Sequence, residues 1–177
     1  MSKRVAFSSV MTALAVVCLF AASVAPSAKI ALLAVSSVFG SVCTAEYGPK
    51  YGLLHYAGVA LLSLLLIPKK TYALAYIVLL GYYPVIKMYI EKLNKRWLEW
   101  ALKILLFNVV LVAAYLVFQV FFLPTVESAV TKLTLTYLPW IVLALEVIFI
   151  LYDYVLSYII TYYYKVLQEK MRRGGWI

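Results

Sequence analysis

Residues 136–164 read TYLPWIVLALEVIFILYDYVLSYIITYYY, an apolar run in which Glu146 and Asp153 are the only charged side chains. A helix of roughly 20 apolar residues spans the roughly 30 Å hydrocarbon core of a bilayer. Unpaired backbone groups are costly in lipid, so a run of this kind is expected to be helical. The segment therefore predicts a membrane-spanning helix that carries two carboxyl groups.

The composition of the whole chain supports the same class. Its 177 residues are 66% hydrophobic and 13% charged, with a mean hydropathy of +0.97, whereas a soluble domain has about 45–50% apolar and about 25% charged residues. A body this small leaves much of its surface exposed, so the excess apolar surface must face lipid. We therefore expect a multi-pass integral protein of the plasma membrane.

Six segments approach the length of a span, and turn-forming residues separate them. The predicted spans are 5–24, 29–46, 51–67, 71–91, 97–122 and 136–164. We expect an all-α bundle of six transmembrane helices, forming a single membrane domain over 1–164, followed by a basic cytoplasmic tail over 165–177. Pro84, three residues after Gly81, predicts a kink in the fourth helix because proline removes a backbone donor.

The basic residues predict the orientation. With the amino terminus inside, 11 of the 16 Lys and Arg residues lie on the inner side, four lie outside, and Lys103 falls within a span. This bias follows the positive-inside rule and places both termini in the cytoplasm. Segments two and three are short, which leaves five spans plus a re-entrant stretch as an alternative, but that arrangement would put the basic tail outside.

Charge and motifs exclude several classes of function. The net charge of +9 comes from clusters between the apolar runs, which is the pattern of helix orientation and does not indicate nucleic-acid binding. The sequence has no HExxH, GxSxG, P-loop or CxxC motif, so we expect no enzymatic activity, no ATP hydrolysis and no bound metal or cofactor. Cys18 and Cys43 fall in different spans at different depths and are expected to be free thiols.

Ionisable groups inside a span are costly and are therefore candidate sites. Lys103 and Asp153 come out at similar depth in the inner third of their helices, which predicts a structural ion pair. Asn108 lies about 16 Å from the inner end of its helix and Glu146 about 14 Å from the outer end of the next, so both fall near the midplane. For Glu146 the alternatives are contact with a ligand, a carboxyl kept protonated by burial, or a bond to Asn108 that ties the two helices together.

Three further polar residues complete the predicted ligand site. Tyr72 and Tyr76 fall at the outer end of the fourth helix, and Gln119 near the outer end of the fifth. They are placed to line an outward-facing cavity between helices four, five and six, with Glu146 as its charged anchor, although purely structural or interfacial roles remain alternatives. At the inner ends, Glu46, Lys50, His55 and Lys87 predict either an ion-pair cap or a proton relay.

The first helix carries small residues at helical spacing. Ser9 and Ala13 are one turn apart and Ala6 lies close to the same face, a pattern that allows helices to approach closely in lipid. The face is expected either to bind a partner or to pack internally.

Two stretches carry a family resemblance: Lys3-Arg4-Val5-Ala6-Phe7 with Ser9-xxx-Ala13, and Glu46-Tyr47-Gly48-Pro49-Lys50-Tyr51-Gly52-Leu53. With six spans and an inside amino terminus, the chain resembles the substrate-binding S components of energy-coupling factor importers. In that family an Ala-xxx-Ala pattern on helix one meets the coupling subunit, and Ser9 here replaces the first alanine. The resemblance implies binding of a vitamin or vitamin precursor, with separate coupling and ATPase subunits as partners.

A second class of membrane protein has the same outline. The small membrane subunit of the rod-shape cell-wall machinery also has six spans and a similar size. A sealed bundle would favour this scaffold alternative, whereas a solvated cavity lined by Glu146, Asn108 and Tyr76 would favour a ligand-binding subunit.

The predicted orientation can be tested by labelling single cysteines with a membrane-impermeant reagent. Lys70→Cys and Arg172→Cys should be labelled from opposite sides of the membrane, because three spans separate them. Labelling of both from the same side would contradict the six-span arrangement.

Overall fold

The computed structural model describes residues 2–93, 95–122 and 128–167, and within these ranges the chain is helical with no strands. The long helices are α1 (Ser2–Val24), α2 (Lys29–Tyr47), α3 (Pro49–Leu66), α6 (Arg96–Phe122) and α7 (Ser128–Tyr162). Between α3 and α6 lie α4 (Lys70–Ala75), a π-helical segment (Tyr76–Leu80) and α5 (Tyr83–Glu91), and a second π-helical segment (Tyr163–Leu167) follows α7. The predicted all-helical class is therefore confirmed for the described residues.

Five of the helical stretches in the described part of the chain are long and apolar enough to cross a membrane. They are Lys3–Val24, Lys29–Tyr47, Lys70–Glu91, Arg96–Ala114 and Pro139–Lys165. The stretch that is missing from this set is α3, which has 18 residues and includes Lys50 and His55. These findings support a membrane protein, and the sixth span, the bundle and its orientation stay predictions.

The fourth predicted span is a helix in three parts. The π-helical segment Tyr76–Leu80 ends at Gly81, whose N–H donates to the Tyr76 carbonyl at 2.7 Å, and α5 begins two residues later with Pro84 in its first turn. A Cβ on Gly81 would lie 2.6 Å from ring atoms of both Tyr56 and Tyr76. Proline and a glycine in close contact with two rings therefore interrupt the α-helix, where the sequence predicts a kink.

The helix of the sixth predicted span begins earlier than expected. The sequence places the start of this span at residue 136, whereas α7 is already helical from Ser128 and continues through Pro139. Of the predicted tail, only residues 165–167 lie in the described part of the chain, and they belong to the second π-helical segment.

Contacts divide the chain into two units, Met1–Leu93 with Val155–Ile177, and Asn94–Tyr154. In the first unit α1 packs on α2 and α3, and α2 also packs on α3 and α5. Its apolar core includes Leu19, Val59, Ile67 and Tyr76, all fully buried. The core of this unit therefore lies where the first four predicted spans meet.

The buried residues of α2 include four with hydroxyl groups. Ser36, Ser37, Ser41 and Thr44 are buried, while Ile30 and Val35 are exposed. The hydroxyls do not need an external partner, because each donates to a carbonyl three or four residues earlier in the same helix, at 2.6–3.2 Å. Apolar side chains such as Ile30 and Val35 can then face lipid while the small polar ones pack against other helices.

Small residues allow α2 and α3 to approach closely. A Cβ on Gly52 of α3 would collide with Thr44 Oγ1 of α2 and would lie 3.0 Å from Val85 Cγ2 of α5. Gly52 therefore sits where three helices meet, and hydrogen is the side chain that fits there.

The second unit contains α6 and the first part of α7. Many of its side chains are exposed, including Leu105, Val112 and Leu143. Large apolar surface of this kind requires lipid or another protein surface as its surroundings.

The close approach at Gly52 predicts a coupled pair of substitutions. Gly52→Ala should lower the thermal stability of the detergent-solubilised protein by about 1–3 kcal/mol, because the added methyl group overpacks the contact with Thr44. In a Thr44→Ala background, where Oγ1 is gone, the same change should cost at least about 0.5 kcal/mol less. Equal costs in the two backgrounds would show that the two helices do not meet at these residues.

Candidate functional site

Three side-chain contacts join α6 and α7 within the second unit. Lys103 Nζ lies 2.9 Å from Asp153 Oδ2, the rings of Phe107 and Phe149 stack with centroids 4.3 Å apart, and Asn108 Nδ2 lies 3.0 Å from Glu146 Oε1. Residue numbers rise on α6 as they fall on α7, so the two helices are antiparallel in this unit. The contacts place the predicted ion pair and two residues of the predicted ligand site, Asn108 and Glu146, on one shared seam.

The first contact is a buried ion pair. Lys103 is 5% exposed and Asp153 is 3% exposed, and the Lys103 ammonium also lies 5.7 Å from the centroid of the Trp100 ring. A charge that is taken out of water needs both a counter-ion and further polar or aromatic contacts to offset its desolvation. The two charged groups face each other within the helix pair, and this is the arrangement expected of a structural ion pair.

The second polar contact is more open. Asn108 and Glu146 are both half-buried. The Asn108 amide donates to Glu146 Oε1 at 3.0 Å and to the Ile104 carbonyl at 3.0 Å, so the amide is held by its own helix while it orients the carboxyl. A carboxylate has about four lone-pair sites, and the bond to Asn108 occupies one of them. Glu146 therefore keeps acceptor capacity for another donor.

Two of the remaining predicted ligand residues lie in the first unit. Tyr76 is fully buried in the apolar core, and Tyr72 is partly buried against the same core. Gln119 lies in the described backbone of α6, and its side chain is outside the part of the chain for which side chains are described. The structure thus brings Asn108 and Glu146 together, and it places Tyr72 and Tyr76 together in another part of the chain.

The predicted partner face of α1 is exposed. Ala6, Ser9 and Ala13 are all exposed, whereas Ser8 and Ala15 on the opposite side of the helix are buried. Small side chains that are not used for packing within the protein leave room for a second helix to approach.

A polar cluster that the sequence did not predict joins α1, α2 and α3. His55 is 1% exposed, and its Nδ1 lies 3.1 Å from Thr12 Oγ1 and 3.9 Å from Cys43 Sγ. Gly40 makes room for the ring, because a Cβ there would lie 3.1 Å from His55 Cδ2. The sequence associates His55 with Glu46, Lys50 and Lys87, whereas the contacts described for it are Thr12 and Cys43.

Hydrogen bonding assigns the tautomer of His55. The Thr12 hydroxyl has one proton and donates it to the Ser8 carbonyl at 2.8 Å, so its oxygen accepts from His55 Nδ1–H. Nε2 then has a bare lone pair, and it is buried with no hydrogen-bond partner among the described residues. The four-residue spacing of Ser8 and Thr12 in the sequence allows the hydrogen bond between them. Only the rotation of the three helices brings Thr12 to His55.

The charged residues near the end of α5 form a different group. Buried Lys87 donates to Ser157 Oγ at 2.7 Å and lies 3.2 Å from Glu91 Oε1. Nearby in the same unit, the Tyr163 hydroxyl donates to Glu46 Oε2 at 3.2 Å, and the Tyr164 hydroxyl donates to the Ala45 carbonyl at 2.6 Å. These contacts attach Ser157 of α7 to α5, and the π-helical segment that follows α7 to the end of α2.

Both cysteines are free thiols: Cys18 and Cys43 are not joined in a disulfide, as predicted. Within residues 2–93, 95–122 and 128–167, no group of three or more His, Cys, Asp and Glu side chains is placed to hold a metal ion.

The Lys103–Asp153 contact predicts strong non-additivity. Lys103→Met and Asp153→Leu should each lower stability by about 3–5 kcal/mol, because each leaves the other charge buried and unpaired. The double variant should be more stable than either single variant. Additive costs in a thermal-stability cycle would rule out an energetically coupled pair.

Comparison with protein-family models, with curated proteins and with solved structures gave no match for this chain. Its function has to be inferred from its own residues and their contacts.

Proposed function

We propose that the chain is the substrate-binding membrane subunit of an energy-coupling factor type importer for a small organic molecule. The observation that carries the proposal is the half-buried Glu146 carboxyl, oriented by Asn108 within a helix pair that is otherwise apolar at this level. Binding sites for small molecules are mostly apolar with a few placed polar groups, and this seam has that chemistry. The substrate class is that of vitamins or vitamin precursors.

The character of the ligand depends on the charge of Glu146. An ionised carboxylate would select a ligand with a positive or strongly donating group, since a lone charge within a span is costly. A protonated carboxyl would suit a neutral polar ligand, because it can donate one hydrogen bond and accept others. In either form the second oxygen of the carboxyl is the atom expected to contact the ligand.

Transport would need other subunits. The sequence has no nucleotide-binding motif, and in an importer of the proposed type the energy would come from an ATPase pair acting through a membrane coupling subunit. The exposed face of α1 with Ala6, Ser9 and Ala13 is the proposed contact with that coupling subunit. A flat face of small residues suits helix-to-helix contact because the backbones can approach closely.

Two contacts favour a scaffold as the second candidate. The Asn108–Glu146 hydrogen bond and the Phe107–Phe149 stack are also the contacts that a sealed helix pair would make. In that case the chain would be a membrane interaction protein similar to the small subunit of the rod-shape cell-wall machinery.

Affinity purification from native membranes in mild detergent separates the two candidates. The full chain should co-purify with a coupling subunit and an ATPase pair. Ser9→Leu, which places a branched side chain on the proposed contact face, should abolish this. Ala31→Leu, an equally exposed change on α2, should leave it intact. Recovery of cell-wall synthesis proteins in place of the ATPase pair would support the scaffold.

The role of Glu146 is tested by substitution once a co-purifying small molecule has been identified by mass spectrometry. For a cationic ligand, Glu146→Gln should weaken binding more than tenfold, about 1.4 kcal/mol, because the shape is kept and the charge is lost. Glu99→Gln makes the same carboxyl-to-amide change in the first turn of α6 and should leave affinity unchanged. Unchanged binding in Glu146→Gln would remove Glu146 from the site of a cationic ligand.

A further inference from the structure

An open groove runs along the surface of the first unit between α1 and α3, with a volume of about 390 Å³. Its apolar lining consists of Val5, Ala13, Leu54, Ala57, Leu61 and Leu62. Thr12 and Gly58 bring the two helices together along it, since a Cβ on Gly58 would lie 3.2 Å from Thr12 Cγ2. The groove is therefore a long apolar channel that is open on one side.

The length of the groove matches one leaflet of a bilayer. The lining residues run from Val5 to Ala13 on α1 and from Leu54 to Leu62 on α3, which is about 12 Å at 1.5 Å per residue. Half of the hydrocarbon core is about 15 Å. The two helices also start at the same end, because Tyr47, just before α3, packs its ring against Phe7 at 5.5 Å. A groove of this length extends from one membrane surface to near the midplane.

Three basic residues lie at the starts of the two helices, just before the lining residues of the groove. Lys3 and Arg4 are exposed next to Val5, and Lys50 is exposed one turn before Leu54, on the same face of α3. The Arg4 guanidinium is held 5.9 Å from the centroid of the Tyr47 ring. Glu46 is the one acidic residue before Glu91 in the sequence, and the Tyr163 hydroxyl donates to it. The starts of α1 and α3, where the groove begins, therefore carry more basic than acidic residues.

The combination of an apolar channel and a basic end identifies the occupant. A protein helix would cover the apolar lining but has no need of the cations, and a water-soluble anion would bind the cations without using the channel. An anionic phospholipid uses both, with an acyl chain in hydrocarbon and a phosphate at the membrane surface, where basic residues attract it. We infer that the groove between α1 and α3 binds one anionic phospholipid, with its acyl chain along Ala57 and its phosphate beside Lys3, Arg4 and Lys50.

The inference does not depend on the proposed transport function. Ser9 and Ala13 belong both to the groove and to the proposed partner face, so a bound lipid and a docked partner would compete for them. Binding is therefore measured on the purified chain without partners.

The phosphate contact is tested by native mass spectrometry with dioleoyl phosphatidylglycerol and dioleoyl phosphatidylcholine. The chain should bind one phosphatidylglycerol at least tenfold more tightly than phosphatidylcholine. The triple variant Lys3→Gln/Arg4→Gln/Lys50→Gln should lose this preference. A control variant with Lys92→Gln/Lys95→Gln/Arg96→Gln removes the same charge from exposed positions elsewhere and should keep it within twofold. Equal loss in the two variants, or loss in neither, would overturn the inference.

The acyl-chain contact is tested by filling the groove. Ala57→Leu should weaken phosphatidylglycerol binding at least fivefold without any change of charge, whereas Ala31→Leu, exposed on α2 and outside the groove, should not. Unchanged binding in Ala57→Leu would overturn the inference, as would an Ala57→Cys variant that forms a disulfide-linked dimer, because a second copy would then fill the groove. If Ala57→Leu lowers the melting temperature, the exposed charge variants still decide the question.

Discussion

A charge inside a membrane has to find its counter-charge within the protein, and the arrangement of α6 and α7 follows from this constraint. Lys103 and Asp153 are buried on facing sides of the two helices and lie 2.9 Å apart. Once this pair is made, the antiparallel direction of the helices sets which residues meet one turn further along. Phe107 then stacks on Phe149, and Asn108 reaches Glu146. The ion pair is thus a structural anchor, and the carboxyl that it positions keeps acceptor capacity.

In the first unit, α2 meets the same constraint with neutral groups. The hydroxyls of α2 bond to carbonyls of their own helix, so they can be buried without a charge or a distant partner. Small polar residues also let the helices pack closely, as at Thr44 and Gly52. The larger apolar side chains are left on the outside, where lipid takes the place that water has around a soluble protein. His55 and Lys87 are exceptions in this unit: a titratable ring is buried at the junction of three helices, and an ammonium is buried beside Ser157 and Glu91.

The ion pair on α6 and α7 and the close packing of small residues in the first unit place the candidate ligand contact and the candidate docking surfaces on different helices. The candidate ligand contact lies on the α6–α7 seam, where one carboxyl is only partly satisfied by its neighbour. The candidate partner and lipid surfaces lie on α1 and α3, where small residues leave space that the protein itself does not fill. A membrane subunit that binds a ligand and passes it to other subunits needs both kinds of surface, and the two would act through different helices.

Much of the fold was determined by the sequence alone, because hydrocarbon admits few alternatives for an apolar chain. Composition and run length establish the helical membrane class, and the interruption near Gly81 and Pro84 follows from local chemistry. Counting depth along two helices predicted the Lys103–Asp153 pair and placed Asn108 and Glu146 near the same level, with a bond between these two as one of the alternatives. The rotation of each helix about its axis could not be predicted in this way, because small and apolar residues occupy every face of α1, α2 and α3. Only the tertiary structure decided that Thr12 and Cys43 meet His55, that Tyr76 is buried in a core, and that α1 and α3 together line one groove. The physical reason is that packing between helices selects one rotation of each helix among several that lipid would accept equally.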